Sequence, residues 1–199
     1  MQVSSGKTDL KPVVVLARCV SWIGHPLVFI SLSVAIIIIL RLANRAGLAL
    51  LLTLLVTLIL PMGLLLFWGA RTGRWSDTDV SIRSERVRFY PRAIPISAMA
   101  VIALWLLRAP AMALRGAVVT LFLLLVAGLV NFRIKLSLHA LFAFYSAIIL
   151  FVVHPVVGAI AFALAFLVFW SRLYLGRHDL LETLVGASLG LLGGLVTAS

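Results

Sequence analysis

The segment Ser171-Arg-Leu-Tyr-Leu-Gly-Arg-His178-Asp-Leu-Leu-Glu182 sets a histidine, two carboxylates and two arginines between two long apolar runs. Ionisable groups are costly at membrane depth and mark function when they gather there. His178 and Glu182 lie four apart, so on a helix the carboxylate can hold one ring nitrogen and orient the other. Arg172 and Arg177 place cationic charge beside them, which suits an anionic phosphate. The competing reading is a solvated turn ahead of the last helix, with Glu182 favourable near that helix's N-terminus.

Two further clusters could complete such a site. Lys135, Ser137 and His139 fall within five residues and combine a cation, a hydroxyl and a proton donor. Ser137 alone could equally cap a helix start, and His139 alone could simply face water or headgroups. Segment 71–92 holds six of the chain's seventeen basic residues. Arg83 and Arg86, interleaved with Asp79 and Glu85, read as a phosphate clamp and would share a helix face. Arg71, Arg74 and Arg92 read as topology residues. A metal site is the other possibility, because His139, His178, Asp77, Asp79, Asp179 and Glu182 are all ligand types. The surrounding positive charge opposes a divalent cation, so the expectation is a site with no metal and no other cofactor.

Membrane helices must position these clusters. The 199-residue chain has a mean hydropathy of +1.20 and is 63% hydrophobic, which excludes a soluble domain. No Asp, Glu, Lys or Arg occurs in 19–40, 46–70, 93–107, 116–132, 136–171 or 183–199. Spanning about 30 Å of hydrocarbon as helix takes about 20 apolar residues, with about 17 as the lower end. Block 136–171 therefore holds two short spans, broken near His154-Pro155. The pattern predicts an all-α, polytopic membrane bundle of six or seven transmembrane helices, forming a single domain over 1–199. They fall near 22–42, 47–70, 93–107, 116–132, 139–153, 156–170 and 183–198. The spans at 93–107, 139–153 and 156–170 are short and are expected to extend into their flanks. His25-Pro26 and His154-Pro155 read as helix starts or kinks. Gly186, Gly190 and Gly194, at spacing four, read as a close-packing stripe on the last helix.

Met1–Lys11 is polar and lacks a signal-peptide layout. The one cysteine, Cys19, excludes an internal disulfide and a cysteine-based metal cluster, and reads as ordinary packing. The net charge of +11 sits at membrane borders, where Lys and Arg set topology and meet anionic headgroups. Nucleic acid is not an expected partner.

Two predicted spans separate 71–92 from 133–139, and two more separate that segment from 171–182. Even numbers of crossings return all three polar segments to one membrane face, where a composite site is expected. That face carries thirteen basic residues and the other carries four: Arg41, Arg45, Arg108 and Arg115. Setting aside Arg83, Arg86, Lys135 and Arg172 leaves nine against four. The positive-inside rule then predicts a cytoplasmic active site, and the expected location is a bacterial inner membrane.

Over roughly 71–186 these residues resemble the type 2 phosphatidic acid phosphatase family of membrane-bound lipid phosphatases. That family carries Lys-x6-Arg-Pro, Pro-Ser-Gly-His and Ser-Arg-x5-His-x3-Asp. The third motif is matched in spacing by Ser171, Arg172 and His178, with Glu182 in place of Asp. The second is matched at Ser137 and His139, with Leu136 and Leu138 replacing Pro and Gly. Counting back from Pro91 puts Arg83 at the lysine position of the first but Tyr90 at its arginine position. Arg86, one turn earlier, would supply the missing guanidinium.

The resemblance implies a metal-independent lipid phosphatase acting on a phosphomonoester or diphosphate of a phospholipid or polyprenyl type. His178, held by Glu182, would attack phosphorus, and His139 would protonate the leaving group. Arg172, Arg83, Arg86, Lys135 and Ser137 would hold the phosphate oxygens. Its partners would be the lipid phosphate substrate and membrane lipids. A non-enzymatic transporter or scaffold of the same fold is the alternative.

Overall fold

Eight helices follow one another in this computed structural model, which describes residues 12–199, and all regular structure among them is helical. The N-terminal tail read above lies outside the described residues. The helices are α1 (Pro12–Ile23), α2 (Pro26–Arg41), α3 (Arg45–Arg71), α4 (Arg83–Leu106), α5 (Ala111–Val130), α6 (Leu138–Val153), α7 (Pro155–Tyr174) and α8 (Leu180–Ala198). Five of them, α3, α4, α5, α7 and α8, are long and apolar enough to cross a membrane. A sixth span arises if α1 and α2, bent by 58° at His25-Pro26, count as one. Helix α6 is apolar but has only 16 residues, about 24 Å at 1.5 Å per residue.

The outer faces are those of a membrane protein. Ile39, Leu64, Phe122, Leu129, Phe166 and Leu192 are each at least 60% exposed, which water would penalise and lipid does not. Cys19 is also exposed, on α1, so it is not the packed residue expected from sequence.

Proline and glycine shape the bundle. In α3 the Pro61 ring has no N–H and crowds the carbonyl four residues back, and the helix absorbs this by widening to a π turn over Leu55–Ile59. Pro155 opens α7 directly after α6 ends at Val153, as the His154-Pro155 break predicted. Helix α6 is the hub, packed against α8, α7 and α2. A Cβ added at Gly186 would lie 2.5 Å from the Ser137 carbonyl oxygen, and one at Gly190 would lie 2.1 Å from that of Leu141. One at Gly194 would meet the Tyr145 carbonyl oxygen at 3.0 Å. Three glycines at spacing four thus face three α6 carbonyls at spacing four, and the backbones touch. Without a hydrophobic driving force between helices in lipid, such close van der Waals approach is what holds them. It also sets the start of α8 beside the start of α6, where the candidate residues are.

Candidate active site

Three polar segments, 72–82, 131–137 and 175–179, meet at one end of the bundle. The first folds back on α3. Trp75, 1% exposed, donates its indole N–H to the Leu66 carbonyl at 3.0 Å and lays its ring where a side chain at Gly69 would be. Arg86, also 1% exposed, ties this loop to the second segment. Its Nε donates to the Val80 carbonyl at 3.0 Å and its Nη1 to that of Leu136 at 2.7 Å. Lys135 Nζ donates to the Arg177 carbonyl at 2.8 Å, and the Ser137 N–H to that of Glu182 at 3.0 Å. Arg177 closes the ring by donating to Asp77 Oδ2 at 2.9 Å and Ser81 Oγ at 2.8 Å. Burial works against the Asp77 carboxylate, but the Ser81 hydroxyl and amide and the Arg177 guanidinium outweigh it and hold its pKa below the ordinary range.

His178 lies between Gly176, which turns the chain at φ +62°, and Asp179, which caps α8 by accepting from the Glu182 N–H at 2.7 Å. This cap fixes the first turn of α8 and brings Glu182 Oε2 within 2.8 Å of His178 Nδ1. A carboxylate can only accept, so the proton resides on Nδ1 and leaves the Nε2 lone pair free. Burial, then the positive charges of Arg86, Arg172 and Lys135, push the His178 pKa down to about 2, so the ring is neutral. Lys135, 3.8 Å from Glu182 Oε2, is held below the usual lysine range by burial and by Arg86 and Arg172, against the pull of Glu182.

Opposite these stands a group no motif had flagged. Asp79 Oδ2 accepts from Arg172 Nη1 at 2.8 Å, and Arg172 Nη1 also donates to Ser21 Oγ at 2.6 Å. Asp79 Oδ1 lies 3.7 Å from His139 Nε2 and 3.9 Å from His25 Nε2. The two imidazoles meet edge to face, with centroids 5.5 Å apart. Among the described residues, Nε2 of His139, Nε2 of His178 and Nε of Arg172 are buried without a hydrogen-bond partner. Buried polar atoms left unpaired are rare and call for a reason. A ligand oxygen is one.

The chain matches no family model, no curated protein and no solved structure. Function must therefore be argued from the chemistry of the site itself.

Of the residues expected from sequence, His178, Glu182, His139, Arg172, Arg86 and Lys135 are brought together. Ser137 is fully buried, with its Oγ accepting from the Ala140 N–H at 3.4 Å, the capping geometry that was its plainer reading. Arg83 is placed elsewhere. Its Nε donates to the Asn131 carbonyl at 2.8 Å and its Nη2 to that of Phe132, so it fastens the 131–137 segment rather than entering the site. His25, Ser21 and Asp79 were not singled out for the phosphate site. Ser21 and His25 lie far from Asp79 in sequence, and the only signal was a carboxylate in an arginine-rich loop. No three His, Cys, Asp or Glu side chains among the described residues are grouped to hold a metal ion.

Proposed function

We propose that the protein is a membrane lipid phosphatase that hydrolyses a phosphomonoester or diphosphate of a lipid through a phosphohistidine on His178. The observation that carries this reading is the neutral His178 ring, fixed at Nδ1 by Glu182 with Nε2 buried and unpartnered among cations. The Nε2 lone pair forms the bond to phosphorus as the bond from phosphorus to the leaving oxygen breaks. His139, taking up a proton as the phosphate's negative charge arrives beside it, passes that proton to the leaving oxygen. Water, giving a proton to the now neutral His139, then attacks phosphorus, breaks the phosphorus–nitrogen bond and releases inorganic phosphate. Arg172 and Arg86 neutralise the equatorial oxygens through both steps.

A cavity of about 70 Å³ is walled by His25, Asp79, Arg86 and His139 at its polar end and by apolar side chains beyond. A second, of about 320 Å³, shares Ile30, Leu58, Ser97 and Thr120 with it and reaches Arg41 and Pro110 near the far end of the bundle. This apolar space suits the tail of a lipid whose phosphate stands at the polar end. The experiment is phosphate release by the purified protein from phosphatidic acid, phosphatidylglycerol phosphate and polyprenyl mono- and diphosphates in excess EDTA. Release from at least one of them is expected. Activity lost in EDTA and restored by one metal would recast His139, His178 and the nearby carboxylates as ligands. No release from any would favour a non-enzymatic protein, in which the Arg172–Asp79 ion pair is simply structural.

The nine-to-four basic bias supports a site on the cytoplasmic face. With Cys19 replaced by serine, Ser76→Cys should resist an impermeant thiol reagent in intact cells and react after permeabilisation. Ala111→Cys, one span away, should do the reverse. The opposite pattern would put the site on the outer face.

A further inference from the structure

Asp79 occupies the position in which a phosphate would be useful. Its carboxylate touches Arg172 at 2.8 Å and stands 3.7 Å from His139 Nε2 and 3.9 Å from His25 Nε2. The side chains of Arg172 and His139 are 1% and 4% exposed, whereas Asp79 is 22% exposed, so the carboxylate covers them from the water side. Its backbone is held for the purpose. Val80 is buried with φ +49°, a left-handed conformation that a β-branched residue adopts only where its surroundings impose it. Here the imposing groups are visible: the Val80 carbonyl accepts from Arg86 Nε, and the Val80 N–H donates to the Asp77 carbonyl at 3.1 Å.

We propose that Asp79 is a specificity-determining residue whose carboxylate fills the phosphoryl position and lets in a terminal, dianionic phosphate while turning away monoanionic phosphodiesters. The proposal rests on the anion-site reading above and adds what that site selects. A phosphate that bridges Arg172 Nη1 and His139 Nε2, where the carboxylate now stands, must displace one negative charge. A phosphodiester headgroup brings one negative charge, so the exchange gains no net attraction. A terminal phosphate carries about −1.5 to −2 at neutral pH, so it gains by the exchange. The distinction matters in a bilayer. The headgroups around the site include anionic lipids, and an unguarded Arg172 would be occupied by whichever anion is most abundant. The displaced carboxylate, already partly exposed, can turn to water without being left buried and unpaired.

The test compares inorganic phosphate with dimethyl phosphate, binding each at about pH 8 to the purified full chain in neutral detergent, followed by calorimetry. The unaltered protein should bind inorganic phosphate about 10- to 100-fold more tightly, the range expected for one charged hydrogen bond gained or lost. In Asp79→Asn, dimethyl phosphate should gain affinity and the ratio should shrink toward unity. An unchanged ratio, equal binding of the two anions by the unaltered protein, or loss of phosphate binding in Asp79→Asn would overturn the proposal. A folded, unaltered protein that binds neither anion would instead remove the anion site itself, and the selectivity with it. If Asp79→Asn fails to fold, Val80→Cys in a Cys19→Ser background keeps the carboxylate and reports on the loop. Its buried thiol should react faster under saturating inorganic phosphate and at an unchanged rate under dimethyl phosphate. Equal rates under the two anions would again overturn it.

Discussion

His178→Ala is expected to lose phosphate release down to background on whichever lipid phosphate the protein cleaves, with its thermal unfolding in detergent little changed. In the proposed reaction the ring is the group that forms the bond to phosphorus. Removing it leaves the arginines able to bind but nothing to attack. Glu182→Gln keeps the shape and removes the charge that orients Nδ1, and should cost about 10- to 100-fold in turnover, the range for one charged hydrogen bond. The protonation state can be checked separately. A histidine with a pKa of ordinary value, near 6.5, gains a proton as pH falls through that point. With its pKa pushed down to about 2, His178 should stay neutral as pH falls from 7 to about 5, which nitrogen-15 chemical shifts of the imidazole would read directly. Near-normal turnover in His178→Ala would end the phosphohistidine reading. A ring that titrates near 6.5 would show that the site is wetter than its geometry implies.

The arrangement around His178 was legible in sequence because its parts are local. Glu182 is one helical turn away, Asp179 is a natural cap, and the Ser-Arg-x5-His spacing runs through a single helix end. The helix breaks at His25-Pro26 and His154-Pro155 were legible for the same reason, since proline acts on its immediate neighbours. Charge-free blocks located the spans but not their ends. Helix α4 starts at Arg83 rather than near residue 93, because charged residues continue a helix wherever they point to protein or water rather than to lipid. Helix α1 was missed because Arg18 interrupts its apolar run, yet it forms all the same and brings Ser21 to Arg172. Arg83 and Arg86 show the limit of helical spacing. Three residues apart, they share a broad face, but one guanidinium reaches the Asn131 and Phe132 carbonyls and the other those of Val80 and Leu136. Which arginine faces the site depends on where the 131–137 segment passes. That is a tertiary fact, as is the meeting of Asp79 with His139 and His25 across three separate segments.

Gly190→Ala should damage the protein out of proportion to one methyl group. The added Cβ would sit 2.1 Å from the Leu141 carbonyl oxygen and 3.1 Å from the Tyr145 amide nitrogen, all of it rigid backbone. No rotamer can relieve the overlap, so α8 must slide or tilt away from α6. Overpacking of this kind costs about 1–3 kcal/mol, enough to lower the unfolding temperature visibly. The larger effect should be on turnover. Helix α8 carries Glu182, and α6, capped by Ser137, carries His139, so separating them pulls the His178–Glu182 pair away from His139. A misplacement of about 1 Å in such a constellation can cost about 100-fold in rate. Gly63→Ala is the matching control. Its Cβ would lie 3.4 Å from the flexible end of Leu27, and alanine is favoured over glycine in a helix by about 1 kcal/mol. That variant should be as stable as the parent or more so, with unchanged phosphate release. If Gly190→Ala matches it in both unfolding temperature and turnover, α6 and α8 do not touch backbone to backbone. The alignment of Ser137, His139, His178 and Glu182 would then need another cause.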